Sequence, residues 1–228
     1  MSESDDTTDA AVARAARLET ATISDALDRL GIVGQCYGIK GRDPGFRMAG
    51  RAFTMRCGPN STPPGTVGDY IDDVPPGAVV VIDNRGRTDA TIWGDILTEI
   101  AHRRKLAGTL IDGISRDVHL CRSLGYPVFS LDHWMRTGKE RVQVEERDCV
   151  VAIGGARVAP GDIVVGDPDG VVIIPRAHEA AVLDAAEEIE AAENRIREAV
   201  RSGMRLDEAR AQFRYHQLQT RRDVDQAL

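Results

Sequence analysis

A single α/β domain of mixed layers is what this sequence predicts, on three observations. Between Trp93 and Ser130, stretches of helical spacing alternate with apolar runs of strand length. After Ser130 the pattern changes to short strands separated by turns. A long amphipathic stretch from about Arg176 to Arg201 then closes the domain. With 228 residues, 42% of them hydrophobic and 29% charged, the chain has the length and composition of one domain with a substantial core.

Taken in order, residues 1–9 read as a disordered tail rich in Ser, Asp and Thr. Ala11 to Leu18 reads as a first helix. Thr22 and Asp25 have capping-box spacing for a second, which carries Ala26, Leu27 and Leu30 and stops at Gly31. Gly31 to Gly50 holds several glycines and a proline and reads mostly as loop. Arg51 to Cys57 is a strand, Pro59 to Gly65 a loop, and Tyr70-Ile71 a short helix. Pro75-Pro76-Gly77 turns into the apolar strand Ala78 to Asp83, and Asn84 to Arg87 is the loop that follows. Gly94-Asp95 opens a helix whose apolar positions are Ile96, Leu97, Ile100 and Ala101. The strand Ala107 to Ile111 is stopped by the turn pair Asp112-Gly113. Ser115 is the expected N-cap of the next helix, with Arg116-Asp117 in its first turn, Val118, Cys121 and Leu124 on its buried face, and Gly125 at its end. Later strands are expected at Arg141 to Val144, Cys149 to Ile153, Ile163 to Val165 and Val171 to Ile174, with a tight turn at Gly166 to Gly170. The closing helix has the stripe Val182, Ala186, Ile189, Glu193, Ile196 and Val200. The resulting division is a tail over 1–9, a catalytic domain over 10–203 and a charged helical arm over 204–228.

The net charge of −7, with no basic block, excludes a nucleic-acid backbone as the expected partner. No apolar run is long enough to span a membrane, and the acidic start is unlike a secretory signal. Four cysteines, at 36, 57, 121 and 149, form neither CxxC pairs nor a disulfide framework. A reduced, cytoplasmic protein is the expectation.

The chemistry concentrates at two helix starts. Gly94 leaves an approaching ligand unobstructed, and the first-turn amides of Gly94, Asp95, Ile96 and Leu97 offer a seat for a carboxylate or phosphate. In a parallel α/β unit both helix starts lie at the carboxyl ends of the strands, so Asp95, Arg116 and Asp117 can converge on one anion. Asp117 is the best metal candidate: a single carboxylate with waters suits Mg²⁺ or Mn²⁺, and no His or Cys cluster supports zinc. Alone it reads first as an acid favoured at a helix start. Arg116 beside it can hold a ketone or enolate oxygen, and Asp95 can position a water that carries a proton. The three lysines, Lys40, Lys105 and Lys139, sit in loops or at helix ends, which argues against imine chemistry. The five histidines are scattered and read as structural or surface residues. Glu193 and Asp25 are each open between a surface role and a carboxylate aimed into a pocket from a neighbouring subunit.

The segment WGD…IDGISRD…GYPVF, with twenty residues between Asp95 and Arg116, closely resembles the metal-dependent 4-hydroxy-4-methyl-2-oxoglutarate/4-carboxy-4-hydroxy-2-oxoadipate aldolases of the RraA-like family. The similarity runs from TISDALDRLG to GDPDGVVIIP and the long helix. It implies a layered α/β/β subunit in a homotrimer or homohexamer with active sites between subunits. It also implies a magnesium- or manganese-dependent pyruvate aldolase that often decarboxylates oxaloacetate. Asp117 would bind the metal, Arg116 the keto oxygen, the amides of Gly94 to Leu97 the pyruvyl carboxylate, and Asp95 a proton-shuttling water. Asp25 and Glu193 fall where the aldolases carry acids near the metal's waters, though Asp25 is shorter than the usual Glu. The TISDALDRLG segment and the C-terminal arm depart from the aldolase pattern. The family's other branch, a regulator that inhibits a ribonuclease by binding it, is the alternative, and the intact Asp–Arg–Asp set favours the enzyme.

Overall fold

A computed structural model describes residues 9–215, 218 and 220. Its centre is an eight-stranded mixed sheet with path β1-β5-β4-β3-β2-β9-β10, and β6 also pairs with β2. The strands are β1 (Lys40–Gly41), β2 (Met48–Pro59), β3 (Val79–Arg87), β4 (Gly108–Ser115), β5 (Val128–His133), β6 (Val142–Arg147), β9 (Ile163–Asp167) and β10 (Gly170–Ile174). β2 to β5 run parallel. β2 serves two antiparallel partners along its length, β9 beside Met48–Arg51 and β6 beyond Met55. A separate hairpin, β7 (Val151–Ile153) with β8 (Ala156–Val158), completes the strands.

Layering follows from the two-residue period of the strands. On β4, Thr109 bonds the Tyr126 hydroxyl at 2.8 Å, just beyond helix α4 (Val118–Leu124). Asp112, three positions on and therefore on the opposite face, accepts from Gly154 N–H in the β7–β8 turn at 3.3 Å. Helices α3 (Asp95–Arg103) and α4 thus cover one face of the parallel strands, and the hairpin covers the other. The result is a helix layer, a sheet and a second small β layer, as expected of an α/β domain.

At the far edge, β9 and β10 serve two cores at once. Val164, Val171 and Ile173 join the main core, while Ile163, Val165, Val172 and Ile174 join a second one. That second core is roofed by α1 (Ala10–Ala15), α2 (Thr20–Leu30) and α5 (Glu179–Arg201). A last helix, α6 (Leu206–Gln212), packs on α5; residues 216, 217, 219 and 221–228 of the expected arm and residues 1–8 of the expected tail lie outside the described residues. Asp9, assigned to the tail, instead caps α1 and pairs with Arg51 at 2.7 Å. No helix among the described residues is long and apolar enough to cross a membrane.

Several boundaries differ from expectation. α2 starts at Thr20, three residues earlier than an N-cap at Thr22 would give, because Asp167 accepts from both Thr20 N–H (2.8 Å) and Thr20 Oγ (2.6 Å); the local Thr22/Asp25 box does not cap the helix. Asp112-Gly113 does not stop β4, and Asn84 to Arg87 is strand rather than loop. Both segments continue through bulges that shift register between Asp83 and Arg87 and between Ile111 and Ile114. Part of the Gly31 to Gly50 stretch is strand, and Lys40 lies in β1 rather than a loop. On α3, Ile96 is 70% exposed; the buried face runs through Thr98 and Ala101. On α5 the stripe passes through buried Ala192 rather than Glu193, and Val200 is exposed.

Burial pushes the Asp167 carboxyl up, but the hydrogen bonds from Thr20 and Asp169 outweigh it and hold the pKa below the ordinary value of 3.8. A depressed carboxylate contributes stability above its unfolded pKa and loses it as pH falls through the folded one. Asp167→Ala is expected to cost about 1–3 kcal/mol at neutral pH. Urea titrations at pH 7 and below 4 would show the difference from the parent shrinking at the lower pH.

Candidate functional site

The site is built where β3 and β4 hand over to their helices. β3 leads through Trp93 to Gly94, the extended N-cap of α3 (φ −153°), and β4 leads through Arg116 to Asp117, the N-cap of α4. Asp117 has φ +56°, a left-handed conformation that aspartate tolerates better than most residues and that often marks a functional turn. The expectation of Ser115 as cap with Arg116-Asp117 inside the helix is therefore corrected. Ser115 is the last strand residue, fully buried, and the cap position falls two residues later on Asp117, whose side chain caps nothing. The released carboxylate points across to the other loop.

The two loops meet closely. Arg116 N–H donates to the Trp93 carbonyl oxygen at 3.0 Å. Asp117 Oδ2 accepts from Asp95 N–H at 3.1 Å and lies 3.2 Å from Arg116 Nε. A Cβ on residue 94 would stand 2.9 Å from Asp117 Oδ2 and 3.0 Å from Arg116 Nε, so a side chain here would push both groups aside. Behind it, Trp93 is buried, stacks on Tyr126 at 6.2 Å between centroids and donates from Nε1 to Thr98 Oγ at 2.9 Å. Thr98 Oγ in turn donates to the Gly94 carbonyl at 2.9 Å. The tryptophan thus fixes the start of α3 from below.

The structure brings Asp95, Arg116 and Asp117 together. It also refines the expected anion seat. The Asp95 amide serves Asp117, and the Ile96 amide serves the Asp95 carboxylate at 2.8 Å. Both amides therefore already donate to carboxylate oxygens of the chain itself. Arg116 and Asp117 are 36% and 30% exposed in their side chains, open enough to take a ligand.

The donor chemistry fits a hard divalent ion. Asp117 offers one carboxylate with Oδ2 engaged by the protein and Oδ1 making no hydrogen bond among the described residues. No group of three or more His, Cys, Asp or Glu among the described residues could cage a metal. A single oxygen ligand with open positions is the arrangement Mg²⁺ or Mn²⁺ accepts by retaining water.

A cavity of about 580 Å³ opens beside this junction, lined by Gly94 to Leu97 and Arg116. The rest of its lining is not legible in the sequence. It is the segment from Pro64 to Asp72 together with Thr137 to Val142. Gln143 Oε1 pins the first segment by accepting from Ser61 N–H (3.1 Å), Ser61 Oγ (3.1 Å) and Gly65 N–H (2.8 Å). Arg136 O holds the second by accepting from Thr91 N–H and Thr91 Oγ, both at 3.0 Å. Gly68 and Gly138 were the available signals: a Cβ at 68 would stand 2.9 Å from Leu97 Cδ2, and one at 138 would overlap the Thr91 carbonyl oxygen.

Asp25 and Glu193 are not brought to this site within one chain. They lie on α2 and α5, which pack on each other, and neither lines the cavity. Glu193 pairs with Arg197 one turn on at 2.7 Å. His102, His119, His133 and His178 are all exposed, while His216 lies outside the described residues. The four cysteines are free and buried.

A family model described as RraA-like, Aldolase/RraA, matches residues 20–173. Protein DlpA of Legionella pneumophila is 40% identical over 201 residues, covering 87% of this chain; the chain spans only 33% of that protein. A Halalkalibacterium halodurans protein with the provisional name 4-hydroxy-4-methyl-2-oxoglutarate aldolase is 30% identical over 174 residues, covering 76% of this chain and 80% of its own. Among solved structures, RraAS2 of Streptomyces coelicolor, described as an unusual member of the RNase ES inhibitor RraA family, superposes with a TM-score of 0.74 at 29% identity. That match covers 81% of this chain and 93% of the Streptomyces chain.

The Gly94 junction generates a test. Gly94→Ala should leave the far-ultraviolet circular dichroism unchanged yet weaken Mn²⁺ binding about tenfold or more, because it displaces the groups that orient Asp117. Titration followed by the ion's paramagnetic resonance signal reads the affinity directly.

Proposed function

This chain belongs to the RraA-like family, and we propose that it is a divalent-metal-dependent carbon–carbon lyase that releases pyruvate from a small 2-oxo acid through the pyruvate enolate. The observation that carries the reading is the closure of Arg116 and Asp117 onto the start of α3 across Gly94. Retro-aldol cleavage of 4-hydroxy-4-methyl-2-oxoglutarate and decarboxylation of oxaloacetate both pass through that enolate, so one site can serve either. The provisional name of the Halalkalibacterium relative supports the first.

In this reading Asp117 would hold Mg²⁺ or Mn²⁺. The chemistry such an ion supplies when bound is Lewis-acid polarisation of the substrate ketone. Arg116 presents its guanidinium to the same oxygen and stabilises the negative charge that develops there. The substrate carboxylate takes the α3 amides now used by Asp95 and Asp117, and the Asp95 carboxylate released by that exchange orients a water that carries the proton. Cytoplasmic location, assembly into a homotrimer or homohexamer, and a contribution from Asp25 and Glu193 of a neighbouring subunit belong to the same proposal. The likeness to the Streptomyces protein supports a second reading, a binding protein that inhibits a ribonuclease. The assembled Asp95, Arg116 and Asp117 set weighs for the lyase.

The test is independent of the substrate's distal end. In D₂O with Mg²⁺ or Mn²⁺, the pyruvate methyl protons should exchange for deuterium, read by proton NMR. Exchange should stop with chelator and fall about 10²-fold or more in Arg116→Ala and Asp117→Ala. Metal-loaded, folded protein that exchanges no faster than buffer would overturn the lyase reading.

A further inference from the structure

The cavity carries information about the part of the substrate beyond pyruvate. Arg116 and residues 94–97 of the α3 start are part of its lining, and its volume of about 580 Å³ is far more than pyruvate fills. Its apolar lining is Val67, Ile71, Ile92, Leu97, Ile100 and Val142. Leu97 closes against Gly68, so helix and loop meet through apolar contact with no room for an ordered polar side chain between them. Acids also line the cavity: Asp69 and Glu140, together with Asp72, which is paired with Arg104 at 3.5 Å. The lining cation other than Arg116 is Lys139, an exposed residue next to Glu140. An apolar wall rimmed by acids selects an uncharged tail twice over, by desolvation and by repulsion.

We propose that the substrate is a 4-hydroxy-2-oxo acid whose C4 substituent is an uncharged alkyl or aryl group, rather than a dicarboxylate. The inference rests on the lyase reading above and narrows its substrate class. In the reaction the C3–C4 bond breaks and its electron pair stays on C3 as the pyruvate enolate. The 4-hydroxyl gives its proton to water and becomes the carbonyl of an uncharged aldehyde or ketone, and C3 takes a proton back from water. No oxidant or reductant is consumed.

The experiment compares pyruvate release from 4-hydroxy-2-oxoheptanoate with that from 4-hydroxy-4-methyl-2-oxoglutarate and oxaloacetate. A parallel calorimetric titration sets 2-oxohexanoate against 2-oxoadipate, two acids of equal length that differ at the far end. The alkyl substrate should show about tenfold higher kcat/KM than either dicarboxylate, and 2-oxohexanoate about tenfold tighter binding, in keeping with burial of a few methylenes. Val67→Lys, placed on the loop where it disturbs the core least, should shift both ratios toward the dicarboxylates. A dicarboxylate preferred or equalled in kcat/KM, with pyruvate exchange intact, overturns the proposal and leaves the lyase standing. Absence of pyruvate exchange removes the lyase, and the titration then decides alone. Tighter 2-oxohexanoate keeps the apolar pocket, whereas equal affinities, as when a second copy of the chain fills the cavity, overturn it.

Discussion

The hydrogen bond from Arg116 N–H to the Trp93 carbonyl, 3.0 Å long, ties two strand-to-helix loops face to face. Its geometry is inherited from the sheet. β3 and β4 run parallel in register from Val79↔Gly108 to Asp83↔Asp112, so both chains head for the same end of the sheet before their bulges. What remains adjustable is how close the loops come. That distance is set by the absent side chain at Gly94, since even a methyl group there would press on Asp117 and Arg116. Closeness lets one carboxylate face an arginine and a helix N-terminus together, and the left-handed turn at Asp117 aims it there.

The second core keeps this frame from distorting. β9 and β10 bury both faces, one against the main core and one against α1, α2 and α5, so they join two hydrophobic units without an exposed side. Long-range polar ties reinforce the joint. Asp167 anchors the start of α2, and Arg51 spans from β2 to Asp9 at the cap of α1 and Glu179 at the start of α5. Arg29, nearly fully buried, pairs with Glu188 between α2 and α5 at 2.8 Å. Glu188 keeps about half of its side chain exposed, so the pair contributes more to fixing one arrangement of two helices than to net stability, because desolvating Arg29 offsets much of the attraction.

Features governed by neighbours in the chain were legible in the sequence. Gly31 and Gly125 end their helices in left-handed conformation, Gly94-Asp95 opens α3, and the apolar runs became central strands. Features governed by distant residues were not. Thr20 begins α2 because of Asp167, 147 positions away, which no local capping pattern can reveal. Asp112-Gly113 has turn composition yet stays in the sheet, where a bulge accommodates it and Asp112 bonds the β7–β8 hairpin. Ile96 matched the helical period but sits in the first turn, where it lines the cavity and stays exposed. The chemical residues of the site, 22 positions apart, fell within one readable βα pair, whereas the cavity wall came from segments on either side whose meeting depends on Gln143 and Thr91.

The amides at the start of α3 show how such a site can stand ready without collapsing. Left unpaired beside an apolar cavity, they would cost free energy. Here the chain lends two of its own carboxylates, Asp95 to Ile96 N–H and Asp117 to Asp95 N–H. Both loans are revocable, because each acid lies in a partly open position and loses little on turning to water or to an ion. In the proposed lyase an incoming carboxylate would replace like with like at the amides and free both acids for other work. Binding and the arming of the site would then be one exchange, which a ligand without a carboxylate could not set in motion.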